Sequence, residues 1–226
     1  MTLCVTDVIK RRAVAISKTE KAYRLIKEQI LTGKMTPNTT ISEEELQHKL
    51  GSSRTPIREA LQMLRKEGFV DIFPRKGIVV SPITLDLLKE IYETRLTLEP
   101  LITKRACGKI PDSFLLQIQS KLQNPPKNLN DAEAAAYYNE IDSAFHSTLI
   151  KCVQNRFFID SMQLVSDHER RIRNITFNMQ TNDEIVLQHL DVIDALLKRD
   201  EEQAEILARK HVEHAKRQAF FHILDL

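Results

Sequence analysis

Apolar residues recur every three or four positions along most of this chain, and the places where that rhythm breaks divide it. Between Glu20 and Thr32, the residues Ala22, Leu25, Ile26, Ile30 and Leu31 fall on one face of a predicted helix. Gly33 follows as its C-terminal cap. Ser42 predicts the start of a short second helix, because Glu45 stands three residues on in a capping-box pattern. Leu46 and Leu50 point inward from it and Gly51 ends it. A third helix opens between Ser53 and Pro56, where proline is tolerated because first-turn amides have no partner inside the helix. Its buried stripe is Ile57, Ala60, Leu61 and Leu64, and Gly68 closes it. The rhythm then changes. Phe69 to Phe73 and Ile78 to Ser81 are β-prone runs joined by Pro74-Arg75-Lys76-Gly77, which predicts a hairpin with a basic tip.

From Ile83 onward the spacing is helical throughout. It predicts helices near 84–107, 112–123, 131–153, 156–179, 183–199 and 201–223, broken by Gly108-Lys109-Ile110-Pro111, Asn124-Pro125-Pro126, Asn155, Thr181-Asn182 and Asp200. Four glycines, Gly33, Gly51, Gly68 and Gly77, precede residue 84, and only Gly108 follows. Short elements with tight turns thus give way to long helices, and Pro82 marks the boundary. Two helices, a tight turn, a third helix and a β-wing are the layout of a winged helix-turn-helix. The predicted fold is mainly α. An extension over 1–18 leads into a winged helix-turn-helix DNA-binding domain over 19–82, and an all-helical bundle occupies 83–226.

Composition changes this picture in two ways. The apolar fraction of 42% and charged fraction of 28% are those of a globular protein, and no apolar run approaches the roughly 18 residues that cross a bilayer. The first 19 residues carry Lys10, Arg11 and Arg12 without an apolar segment after them, which argues against a secretory signal. Cys4, Cys107 and Cys152 are odd in number and scattered, as in a cytoplasmic protein with reduced thiols. Net charge is +2 overall but unevenly placed. Residues 1–83 hold 15 Lys and Arg against 9 Asp and Glu, leaving 18 against 22 for the rest. A basic first third points to a polyanionic partner for that part alone.

The third helix opens Ser52-Ser53-Arg54-Thr55-Pro56-Ile57-Arg58. Arg54 and Arg58 are one turn apart, so their guanidinium groups project from one face and can fork onto guanine edges or phosphates. Ser53, Thr55 and the exposed first-turn amides suit a phosphate. Arg75, Lys76 and Gly77 form the wing tip, within reach of the DNA backbone or minor groove. The alternative is that Arg58 pairs with Glu59 or Glu44 on a solvated face. From Lys21 to Pro82, with "SRTPIREALQMLRKEGFV" and "RKGIVV" at its centre, the sequence resembles the winged-helix domain of the GntR superfamily. That resemblance implies a bacterial, cytoplasmic transcription factor bound as a homodimer to a palindromic operator in double-stranded DNA. Asn38 stands where the family usually has glycine. Glu44 stands where the fatty-acid branch has a DNA-contacting arginine, so that contact is not carried over.

In the second part, Asp142 and His146 are four residues apart and stack on one helix face beside Ile141, Phe145, Leu149 and Cys152. His189 is in line with Val186, Ile193 and Leu196, and His211 follows Ala204, Leu207 and Ala208. Three imidazoles and a carboxylate thus face one core, where each needs a partner. Separate hydrogen bonds can supply those partners singly, whereas a divalent metal satisfies all four together. Arg95 lies on an otherwise apolar face and demands an anion. Two sources are open: Glu99 one turn on, or the carboxylate of a small ligand, for which Arg170 and Arg173 are further candidates.

"YETRLTLE" from Tyr92, "DSAFH" ending at His146, Asn155 and the His189–His211 pair resemble the FCD domain of the FadR-type branch, from about Ile83 to Phe220. The resemblance implies a helical sensor domain that holds a metal through Asp142, His146, His189 and His211. Zinc is the favoured ion, with nickel, manganese or iron as alternatives. The function it implies is a ligand-responsive DNA-binding regulator, a repressor that senses a small organic acid. Two other readings stay open: a constitutive DNA binder with a structural metal, and a DNA-tethered metal-dependent hydrolase. Against the hydrolase, no carboxylate is placed as general base and no HExxH signature is present. An enzyme is therefore not expected.

Overall fold

The computed structural model describes residues 16–74, 77–176 and 183–224. Its order is α1 (Lys18–Leu31), β1 (Thr40–Ile41), α2 (Glu43–Leu50), α3 (Arg54–Lys66), β2 (Val70–Phe73), β3 (Gly77–Val80), α4 (Leu85–Ala106), α5 (Asp112–Gln123), α6 (Asp131–Cys152), α7 (Arg156–Thr176), α8 (Asp183–Leu197) and α9 (Glu201–Leu224). The chain divides into two compact units. One reaches to Ile30 and resumes over Lys34–Ser81, and the other holds Leu31–Gly33 and everything from Pro82 on.

In the first unit, Ser42 accepts a hydrogen bond from the Glu45 amide and so fixes the start of α2. Gly51 ends that helix in the left-handed conformation, at φ 56°, and turns the chain toward α3. The apolar stripe of α3 is fully buried at Ile57, Ala60, Leu61 and Leu64, as are Ile26 and Ile30 of α1 and Phe69 beyond α3. Leu25 departs from the expected stripe: it lies at its edge and is exposed. The hairpin of β2 and β3 gains a third strand, for β1 pairs antiparallel with β3 in the order β1-β3-β2. Two residues are too short to show periodicity, so the sequence pattern gave no sign of β1. Asn38 turns the chain into it at φ 65°, and its amide donates to the Val80 carbonyl at 2.9 Å. Asparagine tolerates that conformation better than other non-glycine residues, which accounts for its standing at a glycine position.

The second unit is all α. The long α4 packs along α9 and also meets α6 and α7, while α8 lies between α9 and α5. Its larger core gathers Ile102, Leu115, Phe145, Leu149, Ile193 and Leu196, and a smaller one gathers Leu88, Ile91, Tyr92, Ile172 and Val212. Pro100 sits inside α4 and cannot donate to the Leu96 carbonyl one turn back. Arg209 of α9 donates to that oxygen instead, at 3.1 Å. A capping box of Asn130 and Glu133 starts α6, the helix that carries Asp142 and His146. The expected continuation of α7 to residue 179 lies outside the described residues. Among the described residues, no helix is long and apolar enough to cross a membrane.

Candidate nucleic-acid interface and metal centre

Because Ile57 and Leu61 are pulled into the core, Arg54 and Arg58 emerge on the opposite, exposed side of α3. Both guanidinium groups meet the same carboxylate. Arg54 Nε donates to Glu43 Oε2 at 2.8 Å, and Arg58 Nε donates to Glu43 Oε1 at 3.0 Å. The internal partner of Arg58 is therefore neither Glu59 nor Glu44. Glu59 accepts instead from the Thr19 hydroxyl at 2.7 Å. Glu43 escaped the sequence reading because it lies 11 and 15 residues from the arginines, on a different helix. Ser53 is the N-cap of α3 but makes no side-chain capping bond, and both it and Thr55 are exposed. The first-turn amides of α3 thus lack the usual side-chain acceptor, as a phosphate-binding helix end requires. Gly77 opens β3 at φ 97°, a conformation other residues rarely adopt. Arg75 and Lys76 lie outside the described residues.

In the helical unit, α6, α8 and α9 bring four expected donors together. The ligating atoms of His146, His189 and His211 all lie within 4.8 Å of one another. His146 Nε2 and His189 Nε2 are 3.3 Å apart, and Asp142 Oδ1 is 3.2 Å from the second and 3.5 Å from the first. His189 and His211 are buried, and the Phe145 ring presents against both His146 and His189. His189 Nδ1 lies 2.9 Å from the Ile185 carbonyl, and His211 Nδ1 lies 3.3 Å from Gln188 Oε1. Both oxygens accept, so each imidazole donates from Nδ1 to a protein oxygen. This outer hydrogen bonding is how proteins orient metal-binding histidines.

Charge supports the same chemistry. Burial lowers the pKa of His211, and the neighbouring His189 and His146 press it further, well below the usual imidazole value. Burial opposes ionisation of Asp142, yet Arg173 and His146 hold its carboxyl well below the usual range. Burial would also lower His146, but the Asp142 carboxylate outweighs it and raises that pKa. An ionised carboxylate beside three clustered imidazoles, of which His211 is held neutral and His146 would give up its proton on binding, is a donor set that fits a divalent transition metal.

Arg95 is buried at 2% exposure, and of its two open partners the structure shows the internal one. Its Nε and Nη2 donate to Glu99 at 2.5 and 3.1 Å, and its Nη1 donates to Glu169 of α7. All three nitrogens are engaged within the protein, by Glu99, one of the two expected sources, and by Glu169. Glu169 was out of reach of sequence reasoning, at a separation of 74 residues. Arg173 stands one turn further along α7 and donates to Asp142 Oδ2 at 2.8 Å. It lines a cavity of 670 Å3 together with Arg170, Asp142 and His146, whereas Arg95 does not. Ile102, Leu149 and Met162 add apolar surface to the cavity lining.

Comparison with known proteins places these features in a family. The profile for bacterial regulatory proteins of the gntR family matches residues 18–80, and the profile for the FCD domain matches residues 90–214. The HTH-type transcriptional repressor RspR of Escherichia coli (strain K12) is 26% identical over 195 residues, 86% of this chain and 85% of its own. The gluconate operon transcriptional repressor of Bacillus subtilis (strain 168) is 32% identical over 136 residues, 60% of this chain and 55% of its own. Among solved structures, Escherichia coli McbR/YncC shares the fold with a TM-score of 0.74 at 17% identity, covering 92% of this chain and 99% of that one. A GntR regulator from Rhodococcus sp. RHA1 gives 0.73 at 20%, covering 90% and 97%.

Proposed function

The chain belongs to the GntR family of bacterial regulatory proteins, with an FCD domain after its winged helix-turn-helix, and on that premise we propose that it is a metal-containing repressor whose hold on DNA responds to a small carboxylate. Its relatives are transcriptional regulators, not enzymes. The observation that carries the proposal is the junction of the Asp142, His146, His189 and His211 cluster with the cavity lined by Arg170 and Arg173. Those four side chains would hold the metal, which would supply a Lewis-acidic anchor for an anionic group in the cavity. Arg173 supplies the second anchor, because a guanidinium matches a carboxylate with two parallel hydrogen bonds. The apolar side chains of Ile102, Leu149 and Met162 in the lining take the carbon skeleton. A thermal-shift screen of organic acids on zinc-loaded protein tests this: an acid that stabilises the parent should lose its effect in Arg173→Ala and keep it in the surface variant Lys210→Ala. Stabilisation that survives Arg173→Ala would remove Arg173 from the ligand site.

One observation favours a second reading, a metal that merely staples the helices. Arg95 is tied to Glu99 and Glu169, and Asp142 is already neutralised by Arg173. Under that reading every acid leaves both the melting temperature and DNA affinity unchanged.

Arg54 and Arg58 carry the DNA contact, in a homodimer that sets two α3 helices on two half-sites. Alanine at either position is expected to weaken binding to a duplex enriched by this protein from a random pool by about 1–3 kcal/mol. Fluorescence anisotropy measures it. Parental affinity in both variants would place the reading surface elsewhere.

A further inference from the structure

We propose that Glu43 is a positioning residue that sets how sharply this protein distinguishes its operator from other DNA. The proposal rests on the assignment of Arg54 and Arg58 to DNA contact and adds a role for a group outside α3.

Glu43 is the first residue of α2, fixed there by the Ser42 cap. Its carboxylate is less exposed than the guanidinium groups it meets, with its side chain at 20% against 62% for Arg54 and 55% for Arg58. One carboxylate therefore anchors two long side chains from beneath. The anchoring is also selective by atom. Both arginines give Glu43 their inner nitrogen, Nε. Among the described residues their terminal Nη groups form no hydrogen bond or ion pair, so the outward edge of each fork stays open for two parallel bonds to a guanine. Burial works against the Glu43 charge, but Arg54 and Arg58 hold its carboxyl below the usual glutamate range, so it stays ionised.

Two effects on recognition follow from this arrangement. Holding each fork in place before DNA arrives removes rotamer freedom that binding would otherwise have to freeze, which favours the geometry of a base contact. The same negative charge lies at the protein–DNA boundary, where it opposes the sequence-independent attraction of arginine for phosphate. Glu43 thus strengthens the oriented contact and weakens the unoriented one.

The test compares Glu43→Gln and Glu44→Gln in the full chain. Glu44 is the exposed neighbour on α2, so its variant removes the same formal charge without releasing the arginines. Anisotropy titrations use the enriched duplex and a shuffled duplex of equal composition across a salt series. In Glu43→Gln the ratio of the two affinities is expected to fall by about tenfold, the worth of 1.4 kcal/mol at a bidentate contact. Shuffled DNA should bind more tightly, with a salt slope steeper by about one. Glu44→Gln should shift both affinities together and leave the ratio within about twofold. In an Arg54→Ala/Arg58→Ala background, Glu43→Gln should leave the ratio unchanged.

A ratio in Glu43→Gln that matches the parent or the Glu44→Gln variant overturns the proposal. So does an effect that persists without the two arginines. A lowered melting transition with both affinities lost makes Glu43 structural and overturns it as well. If Arg54→Ala and Arg58→Ala themselves bind like the parent, the DNA-contact assignment has failed instead.

Discussion

Arg95→Ala is expected to destabilise the helical unit by about 3–5 kcal/mol, the cost of stranding buried charges whose partner has been removed. Glu99 and Glu169 both depend on this guanidinium, and its side chain is only 2% exposed. The loss should travel beyond the pair. Glu169 and Arg173 are one turn apart on α7, and Arg173 in turn neutralises Asp142 in the candidate metal centre. Ion pairs thus join α4 to α7 at Arg95–Glu169 and α7 to α6 at Arg173–Asp142, and Glu169 and Arg173 act on each other through their charges along α7. Replacing the triad together, as Arg95→Met/Glu99→Leu/Glu169→Leu, should cost far less than Arg95→Ala alone, because no charge is left unpaired. Urea denaturation followed by circular dichroism measures both. A loss below about 1 kcal/mol for Arg95→Ala, the range of exposed pairs, would mean that these groups are solvated and not a buried network.

His189→Ala is the second large effect. Structural zinc sites with four donors hold the ion with about 10–16 kcal/mol, so removing one donor of four should weaken zinc by about 3 kcal/mol, or two orders of magnitude. His189 is the most telling choice, since it is buried and its ring is aimed by the Ile185 carbonyl. Competition against a chromophoric chelator gives the affinity. The winged unit has its own core, so the variant should still bind DNA. Zinc affinity equal to the parent's would exclude His189 from the centre.

Much of this was legible in the sequence, for physical reasons that also explain the gaps. The stripes of α3 and α6 were readable because burial imposes a 3.6-residue period on Ile57, Ala60, Leu61 and Leu64, and on Ile141, Phe145 and Leu149. Asp142 and His146 could be paired because a helix places residues four apart on one face. His189 and His211 were legible as inward-facing residues, and the structure brings both beside His146. Contacts between elements carry no local signature. Glu169 meets Arg95 from another helix, Glu43 meets two arginines across a turn, and β1 is too short to alternate. Leu25 shows the opposite limit: an apolar residue at the edge of a stripe satisfies the period without being covered.

Control of DNA binding by the helical unit is tested most directly by DNA affinity in three states of the full chain: stripped of metal, loaded with zinc, and loaded with zinc plus the acid that stabilises it best. The enriched duplex serves as probe, at fixed salt. Coupling of about 1–3 kcal/mol, or roughly 5–150-fold in affinity, is expected between the acid and DNA in the zinc-loaded protein, and none in the stripped protein or in His189→Ala. Equal affinity in all three states would contradict it, and would leave a DNA-binding protein whose helical unit does not control it.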